Sequence, residues 1–330
     1  MRTDKNSIIK FGRKAFFYVR NFTLYVMPDF CYDYFLMRRF KRLSHEDKSD
    51  AEWRADYYNK LPAGCVVEQK TTVAIRDFNF PYGQKKKHSS YFFDLHETVR
   101  CFGKSLRIGY IFGDIDYEPS FPAFVKARPI TDRKSNSVIC KLNKVRHFRF
   151  INDTVAFEQK KDMLIFRNVV KKQPHRTRFI EKLCNSHLCD VGQINPDNCE
   201  QHPEYIKPFM PIEEQLKYKF IACIEGHDVA TNLKWVMASN SLAVMPRPKI
   251  ESWFMEGRLI GGYHYIEIKD DYSDVEDKIE YYSSHPAEAK AIIRHAHEYI
   301  AQFKNEAKER YIQYLVVKKY FEKTSQVSKE

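Results

Sequence analysis

The sequence predicts an α/β protein with two domains, and three observations lead to this fold class. The chain has 330 residues, which is enough for two domains of about 150 residues each. Hydrophobic residues make up 43% and aromatic residues 15% of the chain, as in a folded protein rather than a disordered one. In the second half, short apolar segments alternate with amphipathic helical patterns. This alternation predicts a parallel sheet with helices on both faces.

Basic and aromatic residues are interleaved at the N-terminus, in a segment that we place at residues 1–42. Lys or Arg occupies ten of these positions and Asp occupies three. Such a segment can bind an anionic membrane surface through Coulomb attraction and shallow apolar burial. The alternative is a solvated basic helix that packs on its own domain. Its uncharged stretches are shorter than the roughly 18 residues of a membrane span, and no signal-peptide pattern is present, so we expect a cytoplasmic protein.

Residues 43–155 are predicted to form the first mixed α/β domain. Polar and amphipathic helical patterns cover residues 44–61 and 91–102. Apolar segments at 71–78 and 107–112 predict strands.

Residues 156–304 are predicted to form the second domain, with a more regular pattern. Five apolar segments predict buried strands of a parallel sheet: 163–166, 189–194, 220–225, 241–245 and 263–268. Helical patterns lie between or after them: 175–184, 211–217, 229–239, 250–256 and 273–282. Two more helical patterns, 287–303 and 305–322, are long enough to reach back across the first domain. The final segment is placed at residues 305–330.

One candidate anion site follows the strand at 220–225. Gly226 ends this strand, and Asp228 is placed to cap the next helix. Thr231, Asn232 and Lys234 lie in the first turn of that helix. Free N–H groups and the positive end of the helix dipole favour a phosphate there. The alternative is that Lys234 is only a surface lysine.

A second candidate anion site follows the strand at 163–166. Arg167 and Asn168 come directly after this strand, and Arg176 and Arg178 open the next helical pattern. A guanidinium group matches the geometry of a phosphate through two parallel hydrogen bonds. The sequence therefore predicts an anion site at this strand end.

A group of cysteines and histidines raises the question of a metal site. Cys184, His187, Cys189, Cys199 and His202 could offer thiolates and imidazoles to Zn²⁺. The spacing lacks a paired C-x₂-C motif, and Cys189 opens a predicted strand, so we expect no metal there. The eight cysteines of the chain suit buried thiols in a reducing compartment.

An ordered series of motifs runs through residues 105–305. The motifs are FGDI (112–115), PAFVKARP (122–129), KLNKVRHF (141–148), LIFRN (164–168), YKFI (218–221), EGHDVATNLK (225–234), WF (253–254) and HYIEIK (264–269). In this order they resemble glycosyltransferase family 90, which includes capsule-type transferases, Rumi-type protein O-glucosyltransferases and bacterial lipopolysaccharide glycosyltransferases. The sequence suits the bacterial lipopolysaccharide branch.

The resemblance implies a GT-B fold, in which two Rossmann-like domains face a cleft. It implies an inverting transfer without metal or cofactor, with a UDP-sugar as co-substrate held mainly by residues 156–304. The implied acceptor is a saccharide of the lipopolysaccharide core or a related surface glycan, lipid-linked and reached from the cytoplasm. We therefore expect a peripheral protein at the inner face of the plasma membrane.

The catalytic roles follow from the chemistry that the resemblance implies. A hydroxyl nucleophile needs a base to take its proton, and Asp114 matches the family's catalytic aspartate. Asp116 is the second choice, since it lies on the same strand face if the strand continues. The two also form a D-x-D pattern, which binds a divalent cation in metal-dependent transferases. Because cationic side chains are available for the diphosphate, we expect no metal there.

The leaving diphosphate needs cations, because it gains negative charge in the transition state. Arg167 matches the family's arginine at the strand end, and Arg176 or Arg178 matches the one at the helix start. Lys234 stands where Rumi-type members have arginine, and Asn168 stands where glycine is usual. The lysine keeps the charge but loses the bidentate geometry. Asn tolerates a left-handed backbone better than most residues, so the turn can survive.

Two further cations are candidate site residues, and two other classes of protein are alternatives. Lys126 and Arg128 are cleft candidates or, alternatively, surface charges at a strand end. The net charge of +12 also suits a nucleic-acid-binding protein, but no RRM, KH, helix-turn-helix or zinc-finger motif is present, and we expect no nucleic acid. An inactive membrane-associated scaffold with the same fold is the other alternative, because Asn168 and Lys234 depart from the family pattern.

Overall fold

The chain divides into two compact units. The computed structural model describes residues 5–81, 88–197 and 202–328, with side chains from residue 12 onward in the first of these ranges. Unit 1 is formed by the described parts of 1–146, 250–254 and 303–330. Unit 2 is formed by those of 147–249 and 255–302.

The helices and strands are numbered in chain order. The α-helices are α1 (Lys5–Val26), α2 (Asp29–Lys41), α3 (His45–Tyr58), α4 (Ser89–Val99), α5 (Lys144–His147), α6 (Pro174–Leu183), α7 (Ile212–Gln215), α8 (Leu233–Val236), α9 (Val275–Ser284), α10 (Pro286–Ala301) and α11 (Glu306–Lys323). The strands are β1 (Val73–Ala74), β2 (Arg107–Ile108), β3 (Ala123–Val125), β4 (Ala127–Pro129), β5 (Ser137–Ile139), β6 (Lys161–Asn168), β7 (Cys189–Gln193), β8 (Tyr218–Ala222), β9 (Leu242–Met245), β10 (Ile250–Ser252) and β11 (Ile266–Glu267).

Unit 1 is largely helical, and α11 packs against α2, α3 and α4. The predicted helices at 44–61 and 305–322 are confirmed as α3 and α11. Each begins at a side chain that satisfies free N–H groups: Ser44 accepts from the backbone of Asp47 at 3.0 Å, and Asn305 accepts from Ala307 and Lys308. The N-terminal segment forms α1 and α2. Among the helices of the described residues, none is long and apolar enough to cross a membrane.

A buried carboxylate joins three segments of unit 1. Glu309 on α11 forms ion pairs with Arg54 at 2.7 Å and with Lys141 at 2.6 Å. It also accepts a hydrogen bond from the indole N–H of Trp253 at 2.7 Å. Trp253 stacks on Tyr58 with 4.0 Å between ring centroids. These contacts attach residues 250–254 to the core of unit 1.

The strands of unit 1 are short. In the described residues they form two-stranded pairings: β3 lies parallel to β5, while β1 with β2 and β4 with β10 are antiparallel. The strands predicted at 71–78 and 107–112 shrink to two residues each. A Rossmann-like first domain, and with it the GT-B arrangement, stays a prediction.

The helix predicted at 250–256 is wrong. Residues Ile250–Ser252 form β10 and pair with β4, whose Arg128 is wholly buried. Arg128 donates to Glu251 at 2.9 Å and to the backbone carbonyls of Tyr58 and Ser137 at 3.0 Å. The local pattern at 250–256 does not contain this pairing with β4, which lies far away in the chain. The ion pair between the two strands gives each of the buried charges a partner.

Unit 2 is built on the predicted parallel sheet, which is confirmed. Its strand order is β11-β9-β8-β6-β7, and every neighbouring pair is parallel. Leu164 and Phe166 of β6 are buried against the helices on one face, together with Phe179 and Ile180 of α6. The helix predicted at 175–184 is therefore confirmed as α6, which Pro174 begins at the first helical position.

Two other elements of unit 2 are shorter than predicted. The pattern at 229–239 predicts three turns, but α8 comprises only Leu233–Val236. The apolar segment at 263–268 contributes only Ile266–Glu267 as β11. Packing buries most of 229–239, and in 263–268 it buries Tyr265, Ile266 and Ile268, without regular structure at the ends of either segment. Local periodicity therefore overestimates their length.

Replacement of Arg128 by Ala should destabilise unit 1 by about 3 kcal/mol or more, because Glu251 would then be a buried carboxylate without its main cation. Arg133→Ala is the matched control, since Arg133 is exposed, and we expect a change within about 0.5 kcal/mol. Chemical denaturation measures both free energies of unfolding. Equal effects of the two substitutions would show that the ion pair does not stabilise the unit.

Candidate functional site

In unit 1, the predicted base is held by a buried ammonium group. Gly113 has a φ of +116°, a conformation that disfavours any side chain, and Asp114 follows it. The carboxylate of Asp114 lies 2.5 Å from Nζ of Lys126, between β3 and β4. The Lys126 side chain is only 3% exposed, whereas that of Asp114 is 35% exposed. The ammonium favours the ionised carboxylate, which is the form that a general base requires.

The strand on which Asp116 would share a face with Asp114 does not continue that far. Strand β2 ends at Ile108, and no strand continues through residues 113–116. The alternation of a strand therefore does not put the two carboxylates on one face. Asp116 is exposed.

In unit 2, Arg176 joins two loops at the carboxyl edge of the sheet. It donates from Nε to the carbonyl of Glu225 and from Nη2 to that of Ile224, both at 2.8 Å, and from Nη1 to that of Val169 at 3.0 Å. A Cβ at Gly226 would lie 3.2 Å from Nη2 of this guanidinium. Glycine therefore leaves room for the arginine. The hydrogen bonds of Arg176 hold the loops after β6 and β8 together.

Neighbouring cations make this edge electropositive around His175. Nε2 of His175 lies 2.8 Å from the carbonyl of Glu225, so this nitrogen donates the hydrogen bond. Burial lowers the pKa of His175, and Arg176, Arg178 and Lys249 lower it further, although the hydrogen bond to Glu225 acts in the opposite direction. Neither His175 nor Lys249 is among the residues predicted for the site from the sequence. The position of His175 beside the helix-start arginines is the signal that could have identified it.

Exposed cations lie near this carboxyl edge, on α6 and after β9. Arg178 on α6 is exposed, and so are Arg247 and Lys249, which follow β9. The side chain of Lys249 is 68% exposed and pairs with Asp270 at 2.9 Å. Since β9, β8 and β6 are neighbours in the sheet, the loops after them lie at one edge. These groups can attract an anion from solvent.

Arg167 is placed differently from the exposed cations. Its side chain is 4% exposed and pairs with the carboxylate of Asp190. It also donates to the backbone carbonyls of Asp190 and Phe166 at 2.8 and 3.0 Å. Tyr218 donates to the second oxygen of the same carboxylate at 3.1 Å. Nε of Arg167 is buried without a hydrogen-bond partner among the described residues. A contact between Arg167 and a diphosphate stays a prediction.

Lys234 is neither a surface lysine nor exposed to a ligand. Its side chain is wholly buried, and Nζ lies 2.5 Å from the carboxylate of Glu256, which is also buried. The ion pair neutralises the charge that the sequence analysis assigned to a phosphate. Removal of either residue would take this partner away from a charge that is buried in the core.

Four other residues of the two predicted anion sites also differ from their predicted roles or positions, or lie partly buried. Asp228 is buried but does not cap a helix, because α8 begins later and Asn232 is its N-cap residue. Asn232 donates instead to the carbonyl of Ala222 at 2.9 Å, and Thr231 is half-buried. Asn168 is the last residue of β6 and is not among the residues with positive φ, so the left-handed turn considered for it does not occur.

Two other predicted groups have clear positions. Arg128 is a core residue of unit 1, as its contacts with Glu251 show, and not a cleft or surface cation. In the described part of the chain, no group of His, Cys, Asp and Glu is arranged to hold a metal ion. Cys199 lies outside the described residues. Cys189 is buried in β7, and burial raises the pKa of its thiol to about 11.

The fold and this edge define a class: an α/β protein whose parallel sheet carries cations at the carboxyl ends of its strands, where such sheets bind ligands. Comparisons with known proteins then give the family. The model of glycosyl transferase family 90 matches residues 141–325. The O-glucosyltransferase LpsA of Dichelobacter nodosus is 41% identical over 285 residues, which cover 86% of this chain and 87% of that protein. This chain belongs to glycosyl transferase family 90.

A second relative matches a smaller part of the chain. Uncharacterized protein 179R of Invertebrate iridescent virus 6 is 32% identical over 107 residues, which cover 30% of this chain and 9% of that protein. The match to the family model begins at residue 141, after Asp114 and Lys126. The family model therefore does not test Asp114 or Lys126, and the role of Asp114 stays a prediction.

The electropositive edge gives a direct test on His175. We expect an NMR titration to find the pKa of His175 below its ordinary value, so that the ring is neutral at pH 7. Lys249→Met should raise this pKa, because it removes a positive charge that disfavours the imidazolium. Lys182→Met is the control, since Lys182 is an exposed lysine on α6 and is not among the charges that act on His175. An equal change of the His175 pKa in both variants would contradict a specific effect of Lys249 on His175.

Proposed function

We propose that this chain is an inverting, metal-independent glycosyltransferase that moves a hexose from a UDP-sugar to a saccharide of the lipopolysaccharide core or a related surface glycan. The observation that carries the proposal is the 41% identity with an O-glucosyltransferase named LpsA across 86% of the chain. A match of 285 residues is longer than either unit of this protein. The name of that relative supports transfer of a sugar to a hydroxyl oxygen.

The proposed arrangement is of GT-B type, with unit 1 on the acceptor side and unit 2 binding the donor. The parallel sheet and cationic edge of unit 2 support its donor role. The carboxylate of Asp114, whose side chain is 35% exposed, supports the acceptor role of unit 1, since a nucleophilic hydroxyl needs a base.

In the proposed reaction, Asp114 takes the proton of the acceptor hydroxyl while the hydroxyl oxygen bonds to the anomeric carbon. The bond from that carbon to the diphosphate oxygen breaks, its electron pair leaves with UDP, and attack from the opposite face inverts the configuration. Lys126 positions the base: its buried ammonium fixes one carboxylate oxygen and leaves the group ionised. The carboxylate is exposed enough to meet a substrate.

The departing diphosphate gains negative charge, and we assign the stabilisation of this charge to cations at the carboxyl edge of unit 2. Arg178 and Lys249 are exposed and able to reach a ligand, whereas Arg176 is used to fix the loops that carry them. Arg167 is the strand-end candidate, and it would act after exchange of its pairing with Asp190. With these cations present, transfer needs no metal ion.

The proposed acceptor is lipid-linked, which places the enzyme at the inner face of the plasma membrane, with the protein itself in the cytoplasm. The support is the similarity to the O-glucosyltransferase LpsA and the positive charge of the chain, +12. Anionic lipid headgroups attract a basic protein to the surface where such acceptors lie.

The first test is hydrolysis of a panel of UDP-, GDP-, ADP- and CMP-sugars, with and without EDTA. We expect release of UDP from one sugar in the presence of EDTA. Asp114→Asn should lower the rate by about a thousandfold without loss of UDP binding, because the amide cannot accept the proton. Asp116→Asn is the matched control and should retain activity. Full activity of the Asp114 variant would overturn the assignment of Asp114 as the base. Loss of UDP release in the presence of EDTA would overturn the metal-independent mechanism. No hydrolysis, together with salt-sensitive binding of nucleic acid, would overturn the transferase proposal.

Replacement of Arg178 by Gln tests the donor edge. We expect about a tenfold rise in the dissociation constant of UDP, because one charge-assisted contact to the diphosphate is lost. Lys182→Gln on the same helix is the control, since Lys182 lies in the last turn of α6 and is also exposed. Isothermal titration calorimetry gives both constants. Unchanged UDP affinity in the Arg178 variant would exclude this residue from the donor site.

A further inference from the structure

Helices α1 and α2 expose a set of large apolar side chains that the core of unit 1 does not use. Their exposed fractions range from 56% for Phe35 to 75% for Phe30. The set comprises Phe16, Val19, Val26, Phe30, Tyr34 and Phe35. Together with the exposed cations Arg38, Arg39, Lys41 and Arg42, it forms what we call the α1–α2 surface. Scattered apolar residues on a surface are ordinary, but a cluster on two consecutive helices indicates an interaction site.

The exposed side chains of α1 cannot simply turn inward. Phe16, Val19 and Val26 recur at helical spacing and lie on one face of α1. The opposite face is already used: Tyr18 and Tyr25 make edge-to-face contacts with Phe93 of α4. The exposed face therefore stays outward while the helix keeps its packing.

The exposed side of α2 has a simple composition. Its buried side, with Tyr32, Leu36 and Phe40, packs near Tyr311 and Tyr314 of α11. Every exposed residue between positions 29 and 42 is either aromatic or positively charged. These residues are Phe30, Tyr34, Phe35, Arg38, Arg39, Lys41 and Arg42.

The two acidic residues of α2 do not contribute negative charge to this face. Asp29 pairs with Arg100 at 2.6 Å and with Lys104 at 2.5 Å. Burial would raise the pKa of Asp29, but these two cations hold it below its ordinary value. Asp33 is half-buried and lies against Cys101. The outward charge of α2 is therefore positive.

We propose that the α1–α2 surface docks on the surface of an anionic phospholipid bilayer. Aromatic side chains are favoured at the level of the headgroups, and long cationic side chains beside them reach lipid phosphates while their stems stay in apolar contact. The charge of the face complements anionic lipid, and each Lys or Arg near such a surface adds to the attraction. The helices lie in the interface, with their inner faces on unit 1. This inference rests on the membrane location proposed above and names the surface that binds the lipid. Its test does not depend on turnover.

Vesicle sedimentation tests the proposal without donor or acceptor. The probes are vesicles of phosphatidylcholine alone and of phosphatidylcholine with phosphatidylglycerol, and we expect the full chain to bind the second kind. Arg38→Gln with Arg39→Gln should lower the partition coefficient about thirtyfold. The control is Lys182→Gln with Lys304→Gln, two exposed lysines outside this surface, which should change it less than twofold by the same electrostatic argument.

The aromatic part needs its own variants. Phe30→Ser with Phe35→Ser should lower partition about tenfold or more, since apolar burial at the headgroups is lost. Phe209→Ser is the matched control, because Phe209 is 65% exposed in unit 2. All these positions are exposed, so circular dichroism should show unchanged folding, and hydrolysis of a soluble donor should be unchanged too.

Three outcomes would overturn the proposal. One is equal binding to both kinds of vesicle, or to neither. Another is binding of duplex DNA that depends on Arg38 and Arg39 but not on Phe30 and Phe35, which would make this a nucleic-acid surface. The last is self-association in analytical ultracentrifugation that the Phe30 and Phe35 variants abolish, which would make it an interface between copies of this chain. If the protein hydrolysed no donor but still bound anionic vesicles in this way, only the transferase proposal would be contradicted.

Discussion

The packing of unit 1 depends on the buried carboxylate of Glu309. Arg54 and Lys141 pair with it, and the indole of Trp253 donates to it. Burial would raise the pKa of this carboxyl, but Lys141 and Arg54 hold it below its ordinary value. Removal of one partner from a buried ion pair costs about 3–5 kcal/mol, so these contacts join α3, α11 and residues 250–254. The chain leaves unit 2 after Lys249 and returns to it at Met255.

The same physical rule separates structural cations from those that can meet a ligand. Lys234 and Arg128 are buried and each has a carboxylate partner, Glu256 and Glu251. Their charges are neutralised inside the fold, where an unpaired charge would be costly. Arg178 remains exposed at the carboxyl edge of the sheet. The net charge of the chain is thus a poor guide to its binding sites until each cation is assigned a partner.

Two features of the structure serve the proposed chemistry in different ways. The ion pair of Asp114 with Lys126 combines a buried cation with a partly exposed carboxylate, so the base is oriented by the core and still accessible. At the other unit, Arg176 uses its guanidinium on three backbone carbonyls. It therefore determines the shape of the edge, and exposed neighbours such as Arg178 supply charge to a ligand. The basic and aromatic α1–α2 surface is the third feature, and it is the one that we propose to bind anionic lipid.

The sequence by itself determined the parallel sheet of unit 2 and helix α6, because apolar runs such as that of β6 and a proline at a helix start are local signals. The order of its motifs also identified the family, which the match over residues 141–325 confirms. Only the tertiary structure decided that residues 250–252 form a strand, because their partner β4 lies far away in the chain. It also decided that Lys234 is buried and Arg178 exposed, since the fate of a cation depends on whether a distant carboxylate such as Glu256 folds against it.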